Sequence, residues 1–247
     1  MGPWRSAEPP PGWEPFPDAE VEGSVAQRFL DTAQRFATGE ALSSPAGSWT
    51  FERLAADALG QAGAISSLLA AAEPRPVAVL ANHDGPLVLS ILSIILAGHI
   101  VVVVDPQAPR TEQLHVLAES GAELLLVDHA NASAAEDLSA ANGQMTVQNL
   151  DDLEPKEHEV TNLGPDHPIM LAFTSGTSGK AKAAVVTNAV LLNLIRGATN
   201  ALGIGPDDRM PMLFPTSLAV AAYPMFLPLL NGGTLATLDV RSVGLDP

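Results

Sequence analysis

Three short, almost wholly apolar runs constrain this chain more than any other feature: "RPVAVLA" (75–81), "IVVVV" (100–104) and "AELLLVD" (122–128). Between them lie two helix-length segments, "GPLVLSILSIILAG" (85–98) and "PRTEQLHVLAES" (109–120). A strand without an alternating polar face must be covered on both sides, and a helix between successive strands makes the connection a parallel crossover. The pattern therefore predicts an α/β fold with parallel-rich sheets flanked by helices. A second unit begins at Pro168 with the strand "IMLAFTS", a short loop, the strand "AAVVT" and a helix from about Asn188. The expected organisation is a Pro-rich leader over 1–23, taken as mobile, a first α/β subdomain over 24–165, and a second over 166–247. Residues 129–167 read as a polar connector with one short strand near Met145–Leu150.

Local signals place two earlier helices. Ser24 precedes Val25, Phe29, Ala33 and Phe36, spaced three and four apart, and Gly39 ends that run; Thr50 precedes an Ala-rich stretch reaching Leu69. Gly85–Val104 carries no formal charge over twenty residues, about the length of a membrane span. Ala97-Gly98-His99 cuts it, and β-branched residues follow, so helix, turn and buried strand are expected instead.

Charge and cysteine usage exclude several partners. With 28 acidic and 12 basic residues the chain stands at −16, which argues against nucleic acid or an anionic membrane surface. The absence of cysteine excludes disulfides, thiolate catalysis and cysteine-bound metal, and it fits a reducing compartment such as the cytoplasm.

Against that acidity, "FTSGTSGKAKAAVVTN" (173–188) is unusual. Gly176 and Gly179 let backbone approach a ligand, Thr174, Ser175, Thr177 and Ser178 offer hydroxyl donors, and Lys180 and Lys182 add positive charge. From His167 to Pro206 there is no acid at all, where an even spread would put about four or five. The alternative of a plain Gly-rich surface hairpin leaves that clearing unexplained, so a phosphate-binding loop is expected. It is not a Walker loop: two residues, not four, separate Gly176 from Gly179, and Ala181 follows Lys180. "GIGPDD" (203–208) has only the first two glycines of a dinucleotide fingerprint.

These residues carry a resemblance. "FTSGTSGKAK" closely resembles the phosphate-loop motif of the adenylate-forming superfamily, which includes nonribosomal peptide synthetase adenylation domains, acyl-CoA synthetases and luciferase. "SWTFERLAADALGQAGAI" (48–65), "ILAGHIVVVVDPQAPRTEQLHVLAESGAELLLVD" (95–128) and "PLLNGGTL" (228–235) are similar to further family motifs, in order. The resemblance implies part of the N-terminal domain of a ligase that activates a carboxylate with ATP and Mg2+, giving an acyl-adenylate and pyrophosphate. The acyl group then passes to a thiol of CoA or of a carrier protein's phosphopantetheine. It also implies that Thr174, Ser175, Gly176, Thr177, Ser178 and Gly179 wrap the β- and γ-phosphates and that Lys182 is the motif lysine.

Several positions depart from the family pattern. Ala181 and Ala183 replace Pro and Gly beside the lysine, and Asn188 stands where His is common, as a helix cap or a substrate-side group. Ala219 stands where amino-acid-activating members carry the Asp that pairs with an α-ammonium, and no acid occurs from Met210 to Leu238. A buried ammonium without a carboxylate is costly, so the expected substrate is a carboxylic acid other than an ordinary α-amino acid. "LAVAAYPMFLPLL" (218–230) is first a core helix and second an acyl-pocket wall. The family's adenine-, ribose- and metal-binding segments and its small C-terminal domain have no counterpart within the 247 residues. The expectation is the N-terminal portion of such a ligase, completed by further sequence or by a complementing chain. The alternative is a catalytically incomplete nucleotide-binding or partner-docking module of the same fold.

Overall fold

The computed structural model describes residues 13–71, 73–143, 145–161, 163–174, 182–213 and 222–237. Helix α1 (Val25–Arg35) starts where Ser24 Oγ accepts the Gln27 N–H. A hairpin of β1 (Glu40–Ser44) and β2 (Gly47–Thr50) leads into α2 (Phe51–Leu69), where Thr50 Oγ1 accepts the Arg53 N–H. Next come β3 (Pro76–Leu80), α3 (Gly85–Leu96), β4 (Ile100–Val104), α4 (Arg110–Ser120) and β5 (Leu124–Val127). Then follow α5 (Ala132–Ala141), β6 (Thr146–Asn149), β7 (Pro168–Thr174), β8 (Lys182–Thr187) and α6 (Asn188–Leu202). Last are β9 (Arg209–Met212), α7 (Ala222–Leu229) and β10 (Thr234–Thr237).

Six strands form one sheet in the order β6-β5-β3-β4-β7-β8, parallel throughout except for the antiparallel pair β7–β8. The two-sided burial expected of its centre is present. Val77, Val79, Val101, Val103, Leu124 and Leu126 join one hydrophobic cluster, and Ala78, Leu80, Val102, Val104, Leu125 and Val127 join another with α4 and α5 residues. Four strands form a second sheet, β2-β1-β10-β9. Helix α3 contacts β1 of this sheet and β3 and β4 of the first. Being apolar and buried all round, it is a central core helix. That is why the segment imitates a membrane span; among the described residues no helix is long and apolar enough to cross a membrane.

Each sheet takes strands from both sides of residue 165. Two expectations change. The connector is more ordered than its polarity suggests: α5 buries Ala135 and Leu138 and supplies the crossover that a strand parallel to β5 requires. Its extended part lies against α2, where Gly60 and Gly63 leave room for it; a Cβ at Gly63 would stand 2.3 Å from the Lys156 carbonyl oxygen. The described part of the leader is docked along α6, not loose. The Trp13 indole donates to Ile204 O (2.8 Å), the Phe16 N–H donates to Asn200 Oδ1 (2.7 Å), and Asp18 pairs with Arg196. Phe16 is buried beneath the Arg28 guanidinium, 3.5 Å from its ring centre, and burial pushes Arg28 down to about 10. Residues 1–12 lie outside the described residues.

Candidate functional site

The hairpin β7–β8 frames the expected phosphate loop. Thr174 is the last residue of β7 and Lys182 the first of β8, and they face each other in antiparallel register, followed by Phe173↔Ala183 and Ala172↔Ala184. Ser175, Gly176, Thr177, Ser178 and Gly179, with Lys180, lie between them, outside the described residues. The base is rigid: Ile169 and Met170 are buried in the main core and Phe173 in the second cluster, while β7 pairs with β4. Lys182, Ala183, Ala184 and Val185 are exposed in succession, so this edge strand is open on both faces. The loop thus leaves the sheet at the carboxyl end of β7, the end where ligands bind in parallel α/β sheets.

The other residues singled out from sequence are dispersed. Arg196 pairs with Asp18 of the docked segment, so its charge is already matched. The N-cap of α6 is Thr187, whose Oγ1 accepts the Val190 N–H (3.4 Å); Asn188 lies inside the first turn. Asn188 is 1% exposed, and its side chain accepts the Val25 N–H (3.0 Å) and donates to Leu163 O (3.3 Å) and Gly164 O (3.0 Å). In this arrangement it ties α1 and the connector to α6. Ala219 and the segment 214–221 lie outside the described residues. The helical remainder, α7, buries Met225, Phe226, Leu227 and Leu229, the core role first expected of it; burial also pushes the Tyr223 hydroxyl above its ordinary range.

Sequence reading missed the turn at the carboxyl end of β3. Asn82, His83 and Asp84 follow a buried strand directly, and that position was the available signal. His83 is 8% exposed and its Nε2 lies 2.7 Å from Met212 O, at the end of β9. Asp84 caps α3 through the Gly85 N–H (2.7 Å) and accepts from Thr237 Oγ1, at the end of β10 (3.4 Å).

A match to the AMP-binding enzyme family spans residues 29–247. The chain belongs to that family. Surfactin synthase subunit 1 of Bacillus subtilis is 30% identical over 237 residues, which cover 94% of this chain and 6% of that protein. The fold is that of the nonribosomal peptide synthetase FmoA3 in its AMPPNP-bound form (TM-score 0.76, 22% identity), matched over 95% of this chain and 24% of that one. It is also that of the Klebsiella oxytoca NpsA N-terminal subdomain in complex with 3-hydroxybenzoyl-AMSN (TM-score 0.75, 21% identity), matched over 90% of this chain and 56% of that one. The chain therefore spans a small fraction of the synthases it resembles. It has the α/β fold of the N-terminal part of an adenylate-forming domain.

Proposed function

We propose that this chain is the N-terminal, phosphate-loop-bearing portion of an ATP-dependent ligase that activates a carboxylate as its acyl-adenylate. The supporting observation is the β7–β8 hairpin, which mounts residues 175–181 between a buried strand and Lys182 in a segment without acids. In the reaction a substrate carboxylate oxygen attacks the α-phosphorus of ATP. The bond from that phosphorus to the bridging oxygen breaks, and its electron pair leaves with pyrophosphate. Loop amides, the hydroxyls of Thr174, Ser175, Thr177 and Ser178, and the Lys182 ammonium hold the β- and γ-phosphates and match the charge that accumulates there. A thiol of CoA or of a carrier protein's phosphopantetheine then attacks the acyl carbon and AMP leaves. ATP brings Mg2+ to such a reaction. Among the described residues no three or more His, Asp or Glu side chains stand together to hold a metal ion.

The carboxylate proposed is one without an α-ammonium group, because no acid occurs from Met210 to Leu238 to pair with one. A cysteine-free chain working beside free thiols suits the reducing cytoplasm. A second reading, a catalytically incomplete nucleotide-binding or partner-docking module of the same fold, is favoured by exposed apolar side chains: Val185 on the edge strand β8, and Val190, Leu194 and Leu202 on α6.

ATP–pyrophosphate exchange by the longest natural chain, before and after Lys182→Ala, tests the ligase. Loss of one preorganised cation at the phosphates predicts a fall of about 10²–10³-fold. Wild-type exchange left intact by the substitution would remove the assigned role of the loop.

A further inference from the structure

Residues 13–22 lie in a groove between α1 and α6, and most of what holds them there is polar. Glu14 pairs with Arg35 (3.0 Å), Asp18 with Arg196 and Glu20 with Arg28. Three of the chain's twelve basic residues are thus committed to one groove, a local cationic site on a molecule at −16. The backbone is gripped as well. Of Pro15, Phe16 and Pro17 only Phe16 carries an N–H, and that N–H donates to Asn200 Oδ1 (2.7 Å) while Asn200 Nδ2 donates back to Phe16 O (3.1 Å). Pro17, at φ −68° and ψ 144°, has the polyproline conformation, which recognition grooves favour because it is formed before binding. Leu230 O and Asn231 Oδ1 hold the Arg28 guanidinium (3.0 and 3.4 Å) against the Phe16 ring.

The segment is nonetheless a loose occupant. Phe16 is the one buried residue of 13–22. Glu14, Asp18 and Glu20 are exposed, and ion pairs open to solvent hold weakly and are screened by salt. A cavity of about 260 Å3 remains between the segment, α1 and residues 204–206, lined in part by Trp13, Glu14, Arg28, Asp31, Arg35 and Phe36. Arg196 Nε is buried with no hydrogen-bond partner among the described residues. A segment serving packing alone would fill that space and meet that donor.

From this we infer that the α1–α6 groove is a peptide-recognition surface. Its partner is an extended, proline-flanked segment of another protein with the pattern aromatic-acid-x-aromatic-x-acid-x-acid, and residues 13–20 of this chain occupy the groove until displaced. Being tethered, the chain's own segment acts at an effective concentration on the order of millimolar, so the partner segment must be better matched or held nearby. A second copy would bring its own −16 to the groove, which favours a different protein. None of these contacts involves β7 or β8, and the inference stands apart from the ligase reading.

The probe is a fluorescein-labelled synthetic peptide, WEPFPDAEVE, and the protein is the full chain. Phe16→Ala with Asp18→Ala in the chain frees the groove, and anisotropy should show about tenfold tighter peptide binding than to wild type, because the groove is then open in most molecules. Adding Asn200→Ala to that variant should weaken the peptide about tenfold, the equivalent of its lost backbone hydrogen bonds. Raising salt from about 0.05 to about 0.5 M should weaken it severalfold. A scrambled peptide binding as well as the ordered one, no gain on freeing the groove, or indifference to Asn200→Ala would overturn the inference. Wild type alone supplies a second arm by hydrogen exchange. Unlabelled peptide at about millimolar concentration should speed exchange of the chain's own Phe16 amide while Val25–Arg35 and Asn188–Leu202 keep their protection. A Phe16 amide left unchanged also overturns the inference. So does light scattering that shows a concentration-dependent dimer dissolved by the peptide, because the occupant is then a second copy.

Discussion

Gly63 offers a test in which two physical effects predict opposite signs. It lies in the interior of α2, where replacing Gly by Ala ordinarily stabilises a helix by about 1 kcal/mol. Here the added Cβ would sit 2.3 Å from Lys156 O, 2.8 Å from its carbonyl carbon and 2.9 Å from Glu157 O. Ordinary contact begins near 3.4 Å, so the connector must retreat by about 1 Å. It is pinned where it would have to move: the Lys156 N–H donates to Gly60 O (3.0 Å), and His158 Nε2 meets Leu96 O (3.0 Å). Overpacking against backbone costs about 1–3 kcal/mol, and the pinning puts this site near the upper end. Gly63→Ala should therefore lose about 2 kcal/mol net, lowering Tm by roughly 4–8 °C for a chain of this size. Gly197→Ala is the control. That residue is exposed within α6, its Cβ would meet nothing within 4 Å, and the substitution should gain up to about 1 kcal/mol. Urea and thermal unfolding of the two variants beside wild type measure the difference. If Gly63→Ala stabilises as Gly197→Ala does, the close seating of the connector on α2 is refuted.

Further outcomes follow from the same structure. Burial, and then the neighbouring charges of His158 and His167, hold His99 below its ordinary 6.5; burial also lowers His167. Both folded-state pKa values are depressed, so the unfolded chain binds protons first. Stability is complete above about 6.5 and declines as pH falls below it. A Tm profile from pH 8 to 5 should show that decline, and His99→Asn, which cannot take up the proton, should flatten it; a flat wild-type profile would contradict the assignment. Asn188→Ala leaves the buried Val25 N–H without its acceptor and should cost on the order of 2–3 kcal/mol in urea unfolding. Asn188→Asp should cost at least as much, because it turns a carboxylate oxygen toward Leu163 O and Gly164 O; tolerance of Asp would refute the bonding described.

What could be read beforehand follows the range of the forces involved. The run from β3 to β5 was legible because burial on both faces leaves an unbroken apolar signature. Ser24 and Thr50 announced α1 and α2 because a cap acts over three residues. Strands β1, β2, β9 and β10 gave no such signal: each is short and of mixed polarity, and Leu42 becomes a core strand residue through its pairing with Leu235. Helix α5 was hidden by Ala and Ser, which fit helix, loop and turn alike. The docking of Trp13 and Phe16 depends on Ile204 and Asn200, more than 180 positions away. At the site, the strands flanking the loop were legible. The pairing of Arg196 with Asp18, the structural bonds of Asn188 and the contacts of His83 were not, because each is fixed by a partner distant in sequence.

The pairing of β1 with β10 also has a consequence in time. A ribosome adding about 5–20 residues per second needs on the order of 10–40 s to go from Leu42 to Leu235. Through that interval the β1–β2 ribbon, with Leu42 and Trp49 on it, has no sheet to join, and a lone two-stranded ribbon is marginal in water. Cotranslational chaperones that bind apolar segments would find their target here, and a ribosome stalled before Thr234 would display a nascent chain with this ribbon still unpaired.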